Sequence, residues 1–325
     1  MEQAYYIQLL EALRNGAHDK NTYAQANAKH ILMSVDTPPA EYPRFNLRLA
    51  DQADAQIYLY LEIGMNLYDS DREKAVFAFE RGAQLIEYNH TDRINQVSTS
   101  NYNLLVGALA YYCARQYSKS YILLKKVEER TMLVKIVKSL LTKNFGALRE
   151  NLNEVLLVNR SEVDTYAESW TIIFAESQSL LLQFIETGKK EGIARAEEGF
   201  SAVQKLAEID NMPDLWWIAR LMTIVAKTIQ ENSLWTSLEV LDTENRLTSR
   251  YIRSLVYRPS HPIIELFPSQ KAALDKVLTP QGAVVCLPTS SGKTRIAEIA
   301  ILQTLIADWI QRFCTSPLLG RWHTR

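Results

Sequence analysis

Glycine and proline are scarce in this sequence, 11 and 10 among 325 residues. That shortage argues against a fold of many short strands and tight turns. The three cysteines, Cys113, Cys286 and Cys314, are too far apart and odd in number for a disulfide framework. Cys113 falls in a helical apolar pattern and Cys286 in a short apolar run, so both read as small core residues. The five histidines are scattered, and no Cys/His spacing suits zinc. No sign of charge dominates. A formal net charge of −1 removes any global electrostatic case for nucleic-acid binding. No apolar run reaches the length of a membrane span; the most apolar stretch, Ile296 to Ile310, contains Glu298, Gln303 and Asp308. The start, Met1-Glu2-Gln3-Ala4-Tyr5-Tyr6, lacks a basic region ahead of an apolar one. It does not read as a signal peptide, and a cytoplasmic protein is expected.

What is present is a soluble globular composition, 47% apolar, 22% charged and 10% aromatic, over a length that admits two domains. Residues 2–33 read as two helices, with Tyr6, Leu9, Leu10 and Leu13 at helical spacing and Gly16 ending the first. Ser34 to Phe45 carries Pro38, Pro39 and Pro43 and reads as a linker. From Leu47 the helical pattern persists to about residue 250. Within it, Asn211-Met212-Pro213-Asp214 breaks the run, with Pro213 placed to open a new helix. Arg258-Pro259-Ser260-His261-Pro262 is the best domain boundary, because two prolines stop helix propagation.

The helical region carries an irregular repeat. Tyr60, Ile63, Gly64 and Leu67 followed by Ala75, Phe79 and Gly82 imitate a tetratricopeptide unit, in which small residues sit where two antiparallel helices touch. Ala108 with Ser120, Leu124 and Val127 repeats the theme. Ala147, Leu152 and Val155 suggest a third copy, and Ala196, Phe200 and Val203 a fourth after Gly188. The anchors Ala75, Ser120, Ala147 and Ala196 lie 45, 27 and 49 residues apart, far from a constant period. Two architectures fit: an irregular stack of helical hairpins, or a more globular bundle. Lys/Arg on these helices, such as Lys125-Lys126 and Lys189-Lys190, are interleaved with Glu and read as a solvated face. The adjacent Trp216 and Trp217 could stack on bases, but neighbours on a helix point 100° apart, and packing between helices is the expected role.

The chemistry-bearing stretch lies near the C-terminus. Gly282-Ala283-Val284-Val285-Cys286 reads as a buried strand, Leu287-Pro288-Thr289-Ser290-Ser291-Gly292-Lys293-Thr294 as a loop, and Arg295 to Ile306 as a helix. Strand, Gly-Lys-Thr loop and helix form the context of a phosphate-binding loop. Its backbone N–H groups and the helix start would hold an anion. Lys293 would reach the β- and γ-phosphates, and the Thr294 hydroxyl would ligate Mg²⁺. Leu287 replaces the first Gly of the strict pattern. The plainer reading is a strand-to-helix turn with Lys293 and Thr294 in a solvated first turn.

Pro288-Thr289-Ser290-Ser291-Gly292-Lys293-Thr294 resembles motif I of superfamily 2 helicases, the DEAD/DEAH-box group and its Ski-like branch. Leu266-Phe267-Pro268-Ser269-Gln270 is similar to the Q motif of that family, 23 residues ahead of Lys293. The resemblance implies that Gln270 pairs with adenine, that Phe267 packs beside the base, and that Pro288, Thr289, Ser290, Ser291, Gly292, Lys293 and Thr294 cradle the phosphates of ATP. It covers residues 260–306 only.

Other family elements are missing. After Lys293 the only acidic residues are Glu298 and Asp308, so no Asp-Glu pair, second motor domain or arginine finger is assigned. The expectation is therefore an all-helical, tetratricopeptide-like accessory domain over 1–257. An incomplete α/β, RecA-like P-loop segment follows over 258–325, with the tail 307–325 poorly ordered. The resemblance implies the N-terminal portion of a nucleic-acid helicase, inactive alone, and a fragment, a frameshifted frame or one piece of a split gene. Residues 251–325 hold nine Lys/Arg against four Asp/Glu, which suits a phosphate site and nucleic acid. Large helicases of this build occur among bacterial defence systems. The alternative is a helical scaffold that binds a partner protein, its P-loop vestigial; a small P-loop kinase or switch ATPase fits worst.

Overall fold

A computed structural model describes residues 2–90, 101–157, 166–279, 284–286 and 292–315, with backbone alone for 2, 166–168 and 308–315. The described residues form fifteen α-helices and no strand. The fold is mainly helical. It divides into two compact units, Met1–Leu181 with Glu191–Thr228, and Leu182–Lys190 with Ile229–Arg325.

The first unit begins with α1 (Glu2–Asn15) and α2 (Ala17–Ser34) on either side of Gly16, where the sequence places the break. The proline linker contains only the 3₁₀ turn Pro39–Glu41 before α3 (Leu49–Leu67) and α4 (Arg72–His90). The α3/α4 hairpin brings together the small and large residues that the sequence pattern pairs. A Cβ on Gly64 would lie 2.9 Å from the Phe79 ring, and one on Gly82 would lie 3.2 Å from Leu61. The two axes come this close because those positions lack side chains. Tyr60, Ile63, Leu67, Ala75 and Phe79 are buried around them. The theme repeats in α5 (Asn101–Cys113) and α6 (Tyr117–Leu124), where the buried Ser120 hydroxyl donates to the Ala108 carbonyl at 2.7 Å.

Next come α7 (Met132–Leu141) and α8 (Phe145–Leu156), capped by the side chains of Thr131 and Asn144. Here the buried positions of α8 are Phe145, Leu148 and Leu152, with Ala147 and Val155 only half-buried. The expected third anchor is thus displaced by one residue. In the fourth pair, α9 (Tyr166–Thr187) meets α10 (Glu191–Ile209) through Phe174 and Phe200, rings 5.4 Å apart. Ala196, Phe200 and Val203 are buried as the repeat implies.

α11 (Pro213–Asn232) opens on Pro213 and returns to the first hairpin. It runs parallel to α3 in a fixed register. Tyr58 meets Trp217, Glu62 meets Arg220, Tyr68 meets Thr228 and Asp69 meets Lys227. The Tyr68 and Thr228 hydroxyls are buried 2.7 Å apart. Cys113 of α5 lies 3.9 Å from the Leu221 carbonyl, and burial pushes its thiol pKa up, as befits a core residue. In a one-dimensional stack each hairpin touches only its neighbours. Here α11 joins α3 and α5 directly, so the array closes on itself.

The second unit holds the end of α9, Gly188, and the helices α12 (Leu234–Ser237), α13 (Arg246–Val256), α14 (Pro268–Val277) and α15 (Lys293–Thr315). Gly188 has φ +77°, and a Cβ there would lie 2.7 Å from the Trp235 ring, whose Nε1 donates to the Ile185 carbonyl at 2.9 Å. A single antiparallel bridge, Ser233 with Glu265, is the only β pairing among the described residues.

The expected buried strand over 282–286 is not observed. Its described part, Val284–Cys286, is in no strand, with Val284 95% exposed. Gly282 and Ala283 lie outside the described residues, as do Leu287 to Ser291. A parallel strand needs paired neighbours and covering helices, and no described strand flanks this run. Helix α15 runs to Thr315; residues 316–325 lie outside the described set.

Candidate functional site

Two places gather functional side chains. The first is the segment the sequence singles out. Phe267 caps α14 and is 43% exposed, while Gln270 in the first turn is buried. The Gln270 side-chain carbonyl accepts the Phe267 N–H at 2.9 Å, fixing the start of α14. Its amide nitrogen donates to the Gly292 carbonyl at 3.1 Å. The two sequence motifs therefore meet, through main chain. Gly292 has φ +72°, and a Cβ there would lie 2.3 Å from Gln270 Nε2, so this position suits only glycine.

Lys293 and Thr294 follow as exposed residues opening α15. Pro288, Thr289, Ser290 and Ser291 lie outside the described residues. Behind them α15 is anchored to α13. The Tyr251 hydroxyl donates to Glu298 at 3.0 Å, and Arg295 pairs with the same carboxylate. Burial pushes the Tyr251 phenol up to about 12, against the opposing pull of Arg295. Of the groups that could hold Mg²⁺, the described part of this segment offers the Thr294 hydroxyl. Among all described residues no group of three or more His, Cys, Asp or Glu converges on a metal position.

The second place is the α3/α11 seam near the start of α11. Arg220 makes two bonds to Glu62, at 2.5 and 3.2 Å, while its guanidinium lies 4.8 Å above the Trp216 ring. Trp216 meets Trp217 edge to face at 4.9 Å, and Trp217 lies 5.2 Å from Tyr58. All three rings are half-buried. Trp217 packs across to Tyr58 of α3, as the spacing implies, while Trp216 packs against Trp217 and Arg220 of its own helix. One turn towards the helix starts stand two carboxylates, Asp54 on α3 and Asp214 on α11. Tyr102 of α5 is half-buried alongside. Burial pushes the Tyr58 and Tyr102 phenols up, and Asp214 pushes both the same way. The Asp214 carboxyl is itself raised by burial.

A cleft of ≈ 650 Å³ also lies between α10 and α11, lined by Ala194, Glu197, Ser201, Lys205, Thr223 and Lys227 among others. Burial raises the Glu197 carboxyl while Lys227 opposes it, and Lys227 is held by Asp69 at 2.7 Å. These charges balance one another, and the lining singles out no ligand class.

No family model matches the chain. A similar protein is nevertheless identified. It is Hachiman protein HamB of Bacillus cereus. The two are 31% identical over 310 residues, which is 94% of this chain. The chain spans 27% of the length of that relative.

This finding corrects the helicase reading. The similarity runs through the helical region as well as the C-terminal segment, and it is to a protein named for Hachiman and not for the DEAD/DEAH-box family. The described residues also lack any strand for a RecA-like, Walker A fold. The match to motif I rested on seven residues, four of which lie outside the described set. Sequence reasoning missed the seam, although Asp54, Tyr58 and Glu62 recur every four residues on one face of α3. No helix among the described residues is long and apolar enough to cross a membrane.

Proposed function

We propose that the chain is a protein-interaction scaffold, the helical part of a larger Hachiman-type protein acting in bacterial defence against phage. The observation that carries this is the breadth of the similarity: 94% of the chain aligns with a quarter or so of HamB. The mainly helical fold of paired helices supports it, because the described residues gather no metal cluster or catalytic constellation around which an enzyme reading could be built. The test is co-expression of the tagged chain with the products of its flanking genes. One of them is expected to co-purify at fixed stoichiometry through gel filtration; a chain that emerges alone from such cells overturns the reading.

A second reading concerns nucleotide contact at Phe267, Gln270 and residues 288–294, with ATP and Mg²⁺ as ligands. The Gln270–Gly292 hydrogen bond favours it, because it draws the two segments together. Lys293→Ala is expected to abolish retention of an ATP analogue in equilibrium dialysis. Unchanged retention, or none by the unaltered chain, removes this site.

A further inference from the structure

Helix α13 carries a stripe of arginines that nothing among the described residues neutralises. Its buried side is Thr248, Ile252, Leu255 and Val256. On the opposite side Arg246, Arg250 and Arg253 are exposed, and Tyr257, which caps the helix, is 51% exposed. At 3.6 residues per turn these four positions fall within about 60° of one another around the axis. Arg250 stands about 6 Å and Arg253 about 10.5 Å beyond Arg246 along it. None of the three guanidinium groups has a hydrogen-bond or ion-pair partner among the described residues. Elsewhere basic side chains are held, Lys119 by Glu80, Lys138 by Glu129, Arg220 by Glu62 and Arg295 by Glu298. The stripe also works against its own helix. Like charges three and four residues apart repel, and Arg246 opens the helix at the end where positive charge is disfavoured.

We propose that this stripe docks an acidic helix of a partner protein, whose carboxylates meet the three arginines in turn. The inference rests on the scaffold reading and names the chemistry of the partner and the place where it binds. Anchors spaced by four and then three residues are those by which one helix engages another surface. Each guanidinium can grip a carboxylate through two parallel N–H donors. Such a partner relieves the repulsion that the free helix bears, and Arg and Tyr are residue types enriched where proteins meet. Nucleic acid fits this face less well. Its phosphates run on without a gap, whereas the stripe is bounded at its start by the exposed carboxylates of Asp242 and Glu244. The chain as a whole, with a net charge of −1, sets up no field to gather a polyanion.

The test is fluorescence anisotropy of the full chain with a labelled, alanine-based helical peptide that bears Glu at three positions spaced four and three apart. Its counterpart carries Gln at those positions. The Glu peptide is expected to bind, and the Gln peptide to bind roughly tenfold more weakly. Changing Arg246, Arg250 and Arg253 together to Gln should reproduce that tenfold loss with the helical circular dichroism unchanged, and Arg250→Gln alone should give about a threefold loss. Removing equal charge from exposed residues elsewhere, by Lys20→Gln, Arg44→Gln and Arg195→Gln together, should leave binding as it was. Equal losses in the two triple variants would show general charge attraction and overturn the proposal, as would a Glu peptide that does not bind. A single-stranded oligonucleotide that binds more tightly than the Glu peptide, through the same arginines, would assign the stripe to nucleic acid and overturn it too. The two readings fail separately. A co-purifying partner that is retained in full by the α13 triple variant removes this docking face and leaves the scaffold; peptide binding through the stripe without any co-purifying partner does the reverse.

Discussion

Gly64 shows how much of this fold depends on single missing side chains. Its Cα faces the Phe79 ring so closely that a methyl group would sit 2.9 Å from two ring atoms. Phe79 is fully buried and has no room to withdraw. Overpacking of this kind costs about 1–3 kcal/mol, partly offset by the higher helix propensity of alanine. Gly64→Ala is therefore expected to lower the urea midpoint by an amount matching a net loss of about 1–2 kcal/mol. An unchanged midpoint would show that α3 and α4 do not approach as described. This contact was legible in the sequence, because a small residue at Gly64 facing a large one at Phe79 is the signature of touching antiparallel helices. Gln270 was legible only in part. Its position beside Gly292 follows the order of the motifs, but its bond to the Phe267 N–H is a capping interaction that any helix start could use.

At the scale of elements, the seam between α3 and α11 is the least local feature. Its pairs hold a constant register along more than two turns, so the helices are parallel and locked against sliding. The buried Tyr68–Thr228 bond is the pair whose loss should be felt most, since neither hydroxyl has access to water. A double-mutant cycle of Tyr68→Phe and Thr228→Val is expected to give a coupling of about 1 kcal/mol. The Asp69–Lys227 pair is more exposed and should couple by less than about 0.5 kcal/mol. A larger coupling at the exposed pair would contradict the register. Sequence periodicity places both helices but cannot pair them. Hydrophobic spacing reports which face of a helix is buried and says nothing of which distant helix covers it.

For the molecule as a whole, scarcity of glycine and proline translated directly into fifteen helices among the described residues. The boundaries at Gly16 and Pro213 were readable because each is a local rule of backbone geometry. The C-terminal segment was misread for a related reason. A short apolar run ahead of Gly-Lys-Thr satisfies the local pattern of a strand, yet a strand is stable only through neighbours, and those are long-range partners. The pattern of paired helices is observed, with the third anchor moved from Ala147 to Leu148. It did not extend to an open stack, because nothing in a local repeat forbids a later helix from returning to the first.

That return has a consequence for how the chain is made. Glu62 and Arg220 are 158 residues apart. At ribosomal speeds of about 5–20 residues per second, the flank of α3 waits roughly eight to thirty seconds for its mate to emerge. During that interval the Tyr58 ring and the Tyr68 hydroxyl are without their partners on α11. Nascent chains of this protein should thus be customers for holding chaperones until α11 has been synthesised.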